Sequence, residues 1–164
     1  MSSAISSERE VSTAAEWVSD FARGWSAPTD GDSFADYFEP LLHPDIRLVQ
    51  PQMPVTEGRR AFRERFARPL FETFDELRAT VERWAQDGEV VFIELRFEAK
   101  LAGRPLSWRG VDRITLRDGL ATERVAYFDP TPLLGAVAGR PRAWPRFARM
   151  RMRAVTTKLR AAGR

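Results

Sequence analysis

A chain of 164 residues with 43% apolar content fits one domain, which would bury roughly two thirds of the surface its unfolded form exposes. It has no cysteine and one histidine, His43, which excludes disulfides, thiol nucleophiles, thiolate metal sites and a histidine cluster for zinc. The net charge of +3 is uneven: residues 139–164 carry eight arginines and Lys158 with no acid, or +9, and residues 1–138 sum to −6. A basic balance is the usual first footprint of nucleic-acid binding, but here it belongs to a tail.

Residues Met1 to Glu10 are polar and acidic, without the basic start and apolar run of a secretory signal. No stretch approaches the ~20 apolar residues of a membrane span. A cytoplasmic protein is the expectation, organised as a domain over 1–138 and a basic helical or flexible tail over 139–164.

In chain order, Val11, Ala14, Ala15, Val18, Phe21, Ala22 and Trp25 recur at helical spacing, predicting an amphipathic helix from about Glu8 to Trp25. Asp32 or Ser33 then caps a short helix carrying Phe34, Tyr37 and Phe38, and a strand begins at Asp45 or Ile46 and runs to Gln50. After a loop, Arg59 to about Phe74 reads as a helix with Ala61, Phe62, Phe66 and Leu70 on one face, kinked or ended by Pro69. From Leu77 the period becomes two. Turn signals at Gln86-Asp87-Gly88, Ala102-Gly103-Arg104-Pro105 and Arg117-Asp118-Gly119 mark four strands in an antiparallel meander. Helices on one side of such a sheet make an α+β fold.

Strand parity predicts a pocket. Val91, Ile93, Leu95, Phe97 and Ala99 share the apolar face of one strand, and an even hairpin loop continues that face through Leu106, Trp108, Gly110, Asp112 and Ile114. Asp112 is the odd member: a carboxyl among apolar neighbours is raised by desolvation unless a cation answers it. Arg117-Asp118-Gly119 suits a two-residue turn or a three-residue loop with a bulge at Gly119. The bulge is preferred because it turns Ala126 and Phe128 inward and brings Arg124 to Asp112. Asp112 and Arg124 then form either a structural ion pair or part of a functional site.

The segments Leu42-His43-Pro44-Asp45-Ile46, Arg109-Gly110-Val111-Asp112-Arg113, Arg117-Asp118-Gly119 and Tyr127-Phe128-Asp129-Pro130, in this order and spacing, resemble the SnoaL-like branch of the nuclear transport factor 2-like superfamily over roughly residues 8–135. The resemblance implies a cone of curved antiparallel sheet wrapped around the N-terminal helices, with a deep pocket, and a homodimer through the outer sheet face. Relatives include ketosteroid isomerase, limonene epoxide hydrolase and SnoaL-type polyketide cyclases. By this resemblance Asp112 matches the isomerase's oxyanion-hole acid and the cyclases' catalytic histidine. The isomerase's general base falls on the amide Gln50, and its tyrosine near Phe21. The carboxylate of the cyclases and the epoxide hydrolase falls on Ala126, and the hydrolase's arginine and aspartate pair near Glu94 and Arg96.

Asp129 before Pro130 has the pattern of a helix cap, and His43 before Pro44 that of a packed or capping residue rather than a base. Residues 143–162 read as a basic helix that lies on an anionic membrane or nucleic acid, or else is solvated or packed on the acidic body. Three functions follow. The first is a pocket for a hydrophobic small molecule of steroid or polyketide type, lined by Phe21, Trp25, Leu48, Phe62, Phe66, Leu95, Phe97, Trp108 and Phe128, with Asp112, Gln50 and Arg124 as polar groups. The second is an isomerase, cyclase or hydrolase in which a neutral Asp112 acts as the acid, without metal or cofactor. The third is an interaction module working through the outer sheet face or the tail.

Overall fold

A computed structural model describes residues 2–51 and 53–149, with side chains from residue 14 onward. Helix α1 (Ser2–Ser26) leads to α2 (Gly31–Phe38), and a 3-10 turn (Glu39–Leu41) leads into β1 (Leu42–Val49). Then come β2 (Thr56–Glu57), α3 (Arg59–Ala61), a π turn (Phe62–Ala67) and α4 (Arg68–Thr73). The meander is β3 (Glu76–Asp87), β4 (Val90–Leu101), β5 (Arg104–Arg117) and β6 (Leu120–Phe128), followed by α5 (Thr131–Ala138) and a 3-10 turn (Pro141–Ala143). The six strands form one curved, unclosed sheet in the order β2-β1-β6-β5-β4-β3, antiparallel except where β1 runs parallel to β6. This is the expected α+β architecture.

Several local expectations are corrected. Asp30, not Asp32 or Ser33, caps α2, its carboxylate accepting the amides of Asp32 and Ser33 at 2.9 Å each. The first strand starts at Leu42, ahead of the expected Asp45, because its pairing with β6 is irregular between Leu42 and Arg47, where Pro44 has no ladder bond to break. Pro69 neither ends nor breaks the helix. Arg68 N–H donates to the carbonyl of Arg63, five residues back, so the turn widens just ahead of Pro69 and gives its ring room. The helix then runs on to Thr73. Strand β2, two residues of the expected loop, pairs with β1 through Leu48 and Arg47.

Register between β5 and β6 was expected to depend on a three-residue loop. Arg117 pairs with Leu120 instead, around a two-residue turn with Asp118 and Gly119 at φ 51° and 76°, the positive-φ turn favoured by Asp-Gly. The bulge is displaced into β6, between the pairs Thr115 with Glu123 and Leu116 with Ala121. There Thr122 Oγ1 donates to the Thr115 carbonyl at 3.2 Å. One extra residue on one strand swaps faces wherever it sits, so Asp112 still pairs with Ala126 and Gly110 with Phe128.

The core lies between the concave face and the helices. Trp17 stacks on Phe21 with centroids 5.3 Å apart, Trp25 meets Phe34 edge-on at 4.7 Å, and Phe34 packs on Phe38 at 4.5 Å. Trp25 reaches the sheet at Phe97, 5.5 Å away. At Gly31 a Cβ would lie 2.6 Å from the Cα of Arg68, so α2 enters backbone to backbone against α4. The chain beyond residue 138 continues against this body as far as it is described: Ala143 is fully buried. The part of the expected tail helix past residue 149 lies outside the described residues.

Candidate functional site

The concave face of β4 and β5 carries a cross-strand ladder, Phe97 opposite Trp108, Leu95 opposite Gly110, and Ile93 opposite Asp112. Phe97, Trp108, Gly110 and Asp112 of this ladder line a cleft of about 850 Å³, counted out to its mouth and including solvent there. Trp108 lies flat on Phe97, with centroids 5.0 Å apart and planes 9° from parallel, and Phe74 flanks it at 5.7 Å. Gly110 keeps the wall thin, since a Cβ there would sit 3.0 Å from the Tyr127 carbonyl and 3.1 Å from Phe128 Cβ.

Asp112 faces inward and is 2% exposed. Arg124 from β6 grips it with both arms, Nε donating to Oδ2 at 2.7 Å and Nη2 to Oδ1 at 3.0 Å. Nη1 of the same guanidinium donates to Gln50 Oε1 at 3.3 Å. The Gln50 amide is fixed in turn against Met53 Sδ. The Arg124 Cζ also sits 5.3 Å from the centre of the Phe66 ring, a cation–π approach. Burial pushes the Asp112 carboxyl above its ordinary value, and the charge and hydrogen bonds of Arg124 pull it back. A guanidinium has five N–H donors. Among the described residues Asp112 and Gln50 engage three of those on Arg124.

Of the residues expected in the pocket, Gln50, Asp112, Arg124, Trp25, Phe66, Phe97, Trp108 and Phe128 line this cleft. Phe21, Leu48 and Phe62 line a second, inner space, with Trp25, Phe66 and Arg124 shared between the two. Leu95 is fully buried and is among the lining residues of neither. The sequence reading missed Phe74 and Leu77 at the start of β3 and Leu133, Leu134 and Phe147 beyond β6. Parity could have found Leu77, which pairs with Ala99 on the inward face.

The other candidates have local work. His43 Nδ1 accepts the Asp45 amide at 3.1 Å, and Asp129, one residue ahead of the N-cap Pro130 rather than at the cap itself, accepts the Thr131 amide at 2.9 Å. Glu94 and Arg96 point outward, paired with Arg83 and Glu82 respectively. Among the described residues no group of three or more His, Cys, Asp or Glu side chains could hold a metal ion, and no helix is long and apolar enough to cross a membrane.

Comparison with known proteins agrees with this architecture. No curated protein matches the chain in sequence. A protein of Jannaschia sp. CCS1 assigned as a SnoaL-like polyketide cyclase superposes with a TM-score of 0.67 at 22% identity, covering 79% of this chain and 94% of its own. A Catenulispora acidiphila protein with a ketosteroid isomerase-like fold gives 0.64 at 17%, covering 73% and 90%. An M. tuberculosis epoxide hydrolase of the LEH-like type gives 0.61 at 16%, covering 76% and 84%. The family model described as the SnoaL-like domain matches residues 18–124, from the first helix to the arginine that grips Asp112, and the chain belongs to that family.

Proposed function

We propose that the protein binds a flat, largely apolar and uncharged small molecule of steroid or polyketide type, with a carbonyl or hydroxyl oxygen set against Arg124. The observation that carries this reading is the Arg124–Asp112 pair at the floor of an apolar cleft. The pair is neutral as a unit, so a buried anion would find no net countercharge, whereas a neutral oxygen would find a guanidinium N–H already oriented. The stacked Trp108 and Phe97 supply a planar wall suited to a planar ligand.

Asp112 holds the arginine in place in this reading. Both its oxygens accept from Arg124, which favours the ionised acceptor over the proton donor that an acid role needs. Isomerase, cyclase or hydrolase chemistry would then begin from polarisation of a carbonyl by Arg124. Phe92, Val111 and Tyr127, exposed at 41%, 37% and 52%, lie on the outer face and support the homodimer that the family resemblance implies.

Trp25 and Trp108 make the pocket testable by tryptophan quenching. 2-Naphthol should bind about tenfold more tightly than naphthalene, the worth of one neutral hydrogen bond, and more tightly than 2-naphthoate. Arg124→Met should erase the advantage over naphthalene. Quenching by none of the three, or equal affinities in both proteins, would sink the assignment. For the dimer, Val111→Arg should give monomers in sedimentation equilibrium, and an unaltered chain that is already monomeric removes that part.

A further inference from the structure

The cleft is not walled by the family domain alone. The family match ends at residue 124, yet Leu133, Leu134 and Phe147 line the cleft together with Trp108 and Phe74. They belong to a strap made of α5, the 3-10 turn Pro141–Ala143 and a helical stretch over 144–149. The strap leaves the end of β6 and returns to the far edge of the sheet, where it is tied at two points. Arg140 donates to the carbonyls of Leu101, Arg104 and Pro105 around the β4–β5 turn, at 3.4, 3.4 and 3.2 Å. Arg146 pairs with Asp75 just ahead of β3, and the other Asp75 oxygen accepts the Gly103 amide at 2.8 Å. Within the strap, the Trp144 indole N–H donates to the Val137 carbonyl at 2.9 Å.

These ties are weak compared with what they cover. Arg146 and Asp75 are 43% and 33% exposed, the range in which water screens an ion pair and leaves it contributing little to stability. Two of the three Arg140 contacts, at 3.4 Å, are long for hydrogen bonds. Val137 and Ala143 are the only described strap residues counted as buried. The inner walls, by contrast, rest on strands whose side chains at Ile93 and Leu95 are fully buried. Segments with few buried apolar contacts and exposed hydrogen bonds open at the lowest free energy. One wall of the cleft is therefore rigid and the other lightly fastened.

We propose that residues 131–149 form a hinged outer wall of the pocket, with Phe147 limiting the length of ligand admitted and Arg140 and Arg146 setting the rate of exchange. This rests on the pocket reading above and adds to it a determinant of specificity that lies outside the family match. A ligand no longer than the cleft is covered by Leu133, Leu134 and Phe147. A longer one must displace Phe147.

The test uses the full chain and stopped-flow tryptophan quenching by 2-naphthol. In Arg140→Ala/Arg146→Ala, association and dissociation rates should both rise about fivefold, equivalent to about 1 kcal/mol, with the dissociation constant little changed. Phe147→Ala should improve binding of 6-hexyl-2-naphthol relative to 2-naphthol by about tenfold. Amide exchange in the ligand-free double variant should quicken across residues 131–149 and stay as in the unaltered chain across β4 and β5. Normal quenching with unaltered rates, an unaltered ratio or unaltered exchange would overturn the hinged wall alone. Absence of 2-naphthol quenching in the unaltered chain would remove the pocket reading, and this inference with it.

Discussion

The two faces of the sheet use the same chemistry to different effect. On the outer face Arg83 Nε meets Glu94 Oε2 at 2.7 Å. On the inner face Arg124 Nε meets Asp112 Oδ2 at the same 2.7 Å. The side chains of the first pair are 81% and 31% exposed, those of the second 11% and 3%. Water screens the outer pair and competes for its hydrogen bonds, whereas the inner pair has surrendered its hydration and depends on its partner. Distance alone therefore says little about what an ion pair does. The outer face carries further exposed pairs, such as Arg78 with Glu98 and Lys100 with Glu76. Among the described residues the inner face carries one such pair, Arg124 with Asp112, lining the cleft.

The largest expected effect separates the faces directly. Asp112→Ala strands the Arg124 guanidinium in the cleft and should cost about 3–5 kcal/mol in urea unfolding, while Asp112→Leu/Arg124→Met should recover most of that loss. A double variant as unstable as the single one would mean that the network contributes through Gln50 and Phe66 rather than through charge pairing.

Aromatic truncation repeats the comparison without charge. Phe97 is 7% exposed and touches Trp25 and Trp108, so Phe97→Ala should cost about 3–5 kcal/mol. Phe92, five residues earlier on the opposite face and 41% exposed, should cost well under about 1 kcal/mol on truncation to Ala in the monomer. Equal losses would show that the outer face is covered in the folded protein, as a dimer interface would be.

The contrast between the faces was legible in the sequence because alternation in β4 is a local property: odd residues from Val91 to Ala99 are apolar, and Glu94, Arg96 and Glu98 are not. Asp112 and Arg124 followed from pairing rules, although by a different device, since the bulge sits at Thr122 rather than in the turn. The subdivision of the cleft was not legible. Whether Phe62 lines the ligand cleft or the inner space depends on the π turn ahead of Pro69, and on how α2 and α4 meet at Gly31, a long-range contact that leaves no periodic mark. Phe147 was hidden for another reason: it is embedded among arginines whose ties to Asp75 and to the β4–β5 carbonyls involve residues distant in sequence, so its neighbourhood read only as charge.

Acid should act oppositely on the exposed Asp75 and the buried Asp112. Asp75 is held below its ordinary value, first by the Gly103 amide and then by Arg146. Its contribution is present above the unfolded carboxyl value of about 3.9 and is lost as pH falls through the lower folded value. Amide exchange over residues 131–149 should therefore quicken on acidification before β4 and β5 respond. Asp112 is pushed up by burial, so removing its cation by Arg124→Met raises it further. A carboxyl raised in the folded state stabilises below its unfolded value and loses that contribution as pH rises through the folded one. Urea stability of Arg124→Met should consequently fall, as pH rises above the unfolded carboxyl value of about 3.9, more steeply than that of the unaltered chain. Parallel pH profiles would mean that water reaches Asp112 once the arginine is gone.

The smallest expected effect completes the pairwise comparison. Arg83→Ala removes a 2.7 Å contact to Glu94, yet should change stability by less than about 1 kcal/mol, because both partners are rehydrated at once and the flexible arginine regains its rotamers. Raising salt to about 1 M, where the screening length is ~3 Å, should abolish even this difference while leaving the penalty of Asp112→Ala in place. A loss from Arg83→Ala as large as that from Asp112→Ala would place the outer pair in an environment as dry as the cleft. Burial against a second copy of the chain, as proposed above, would provide such an environment.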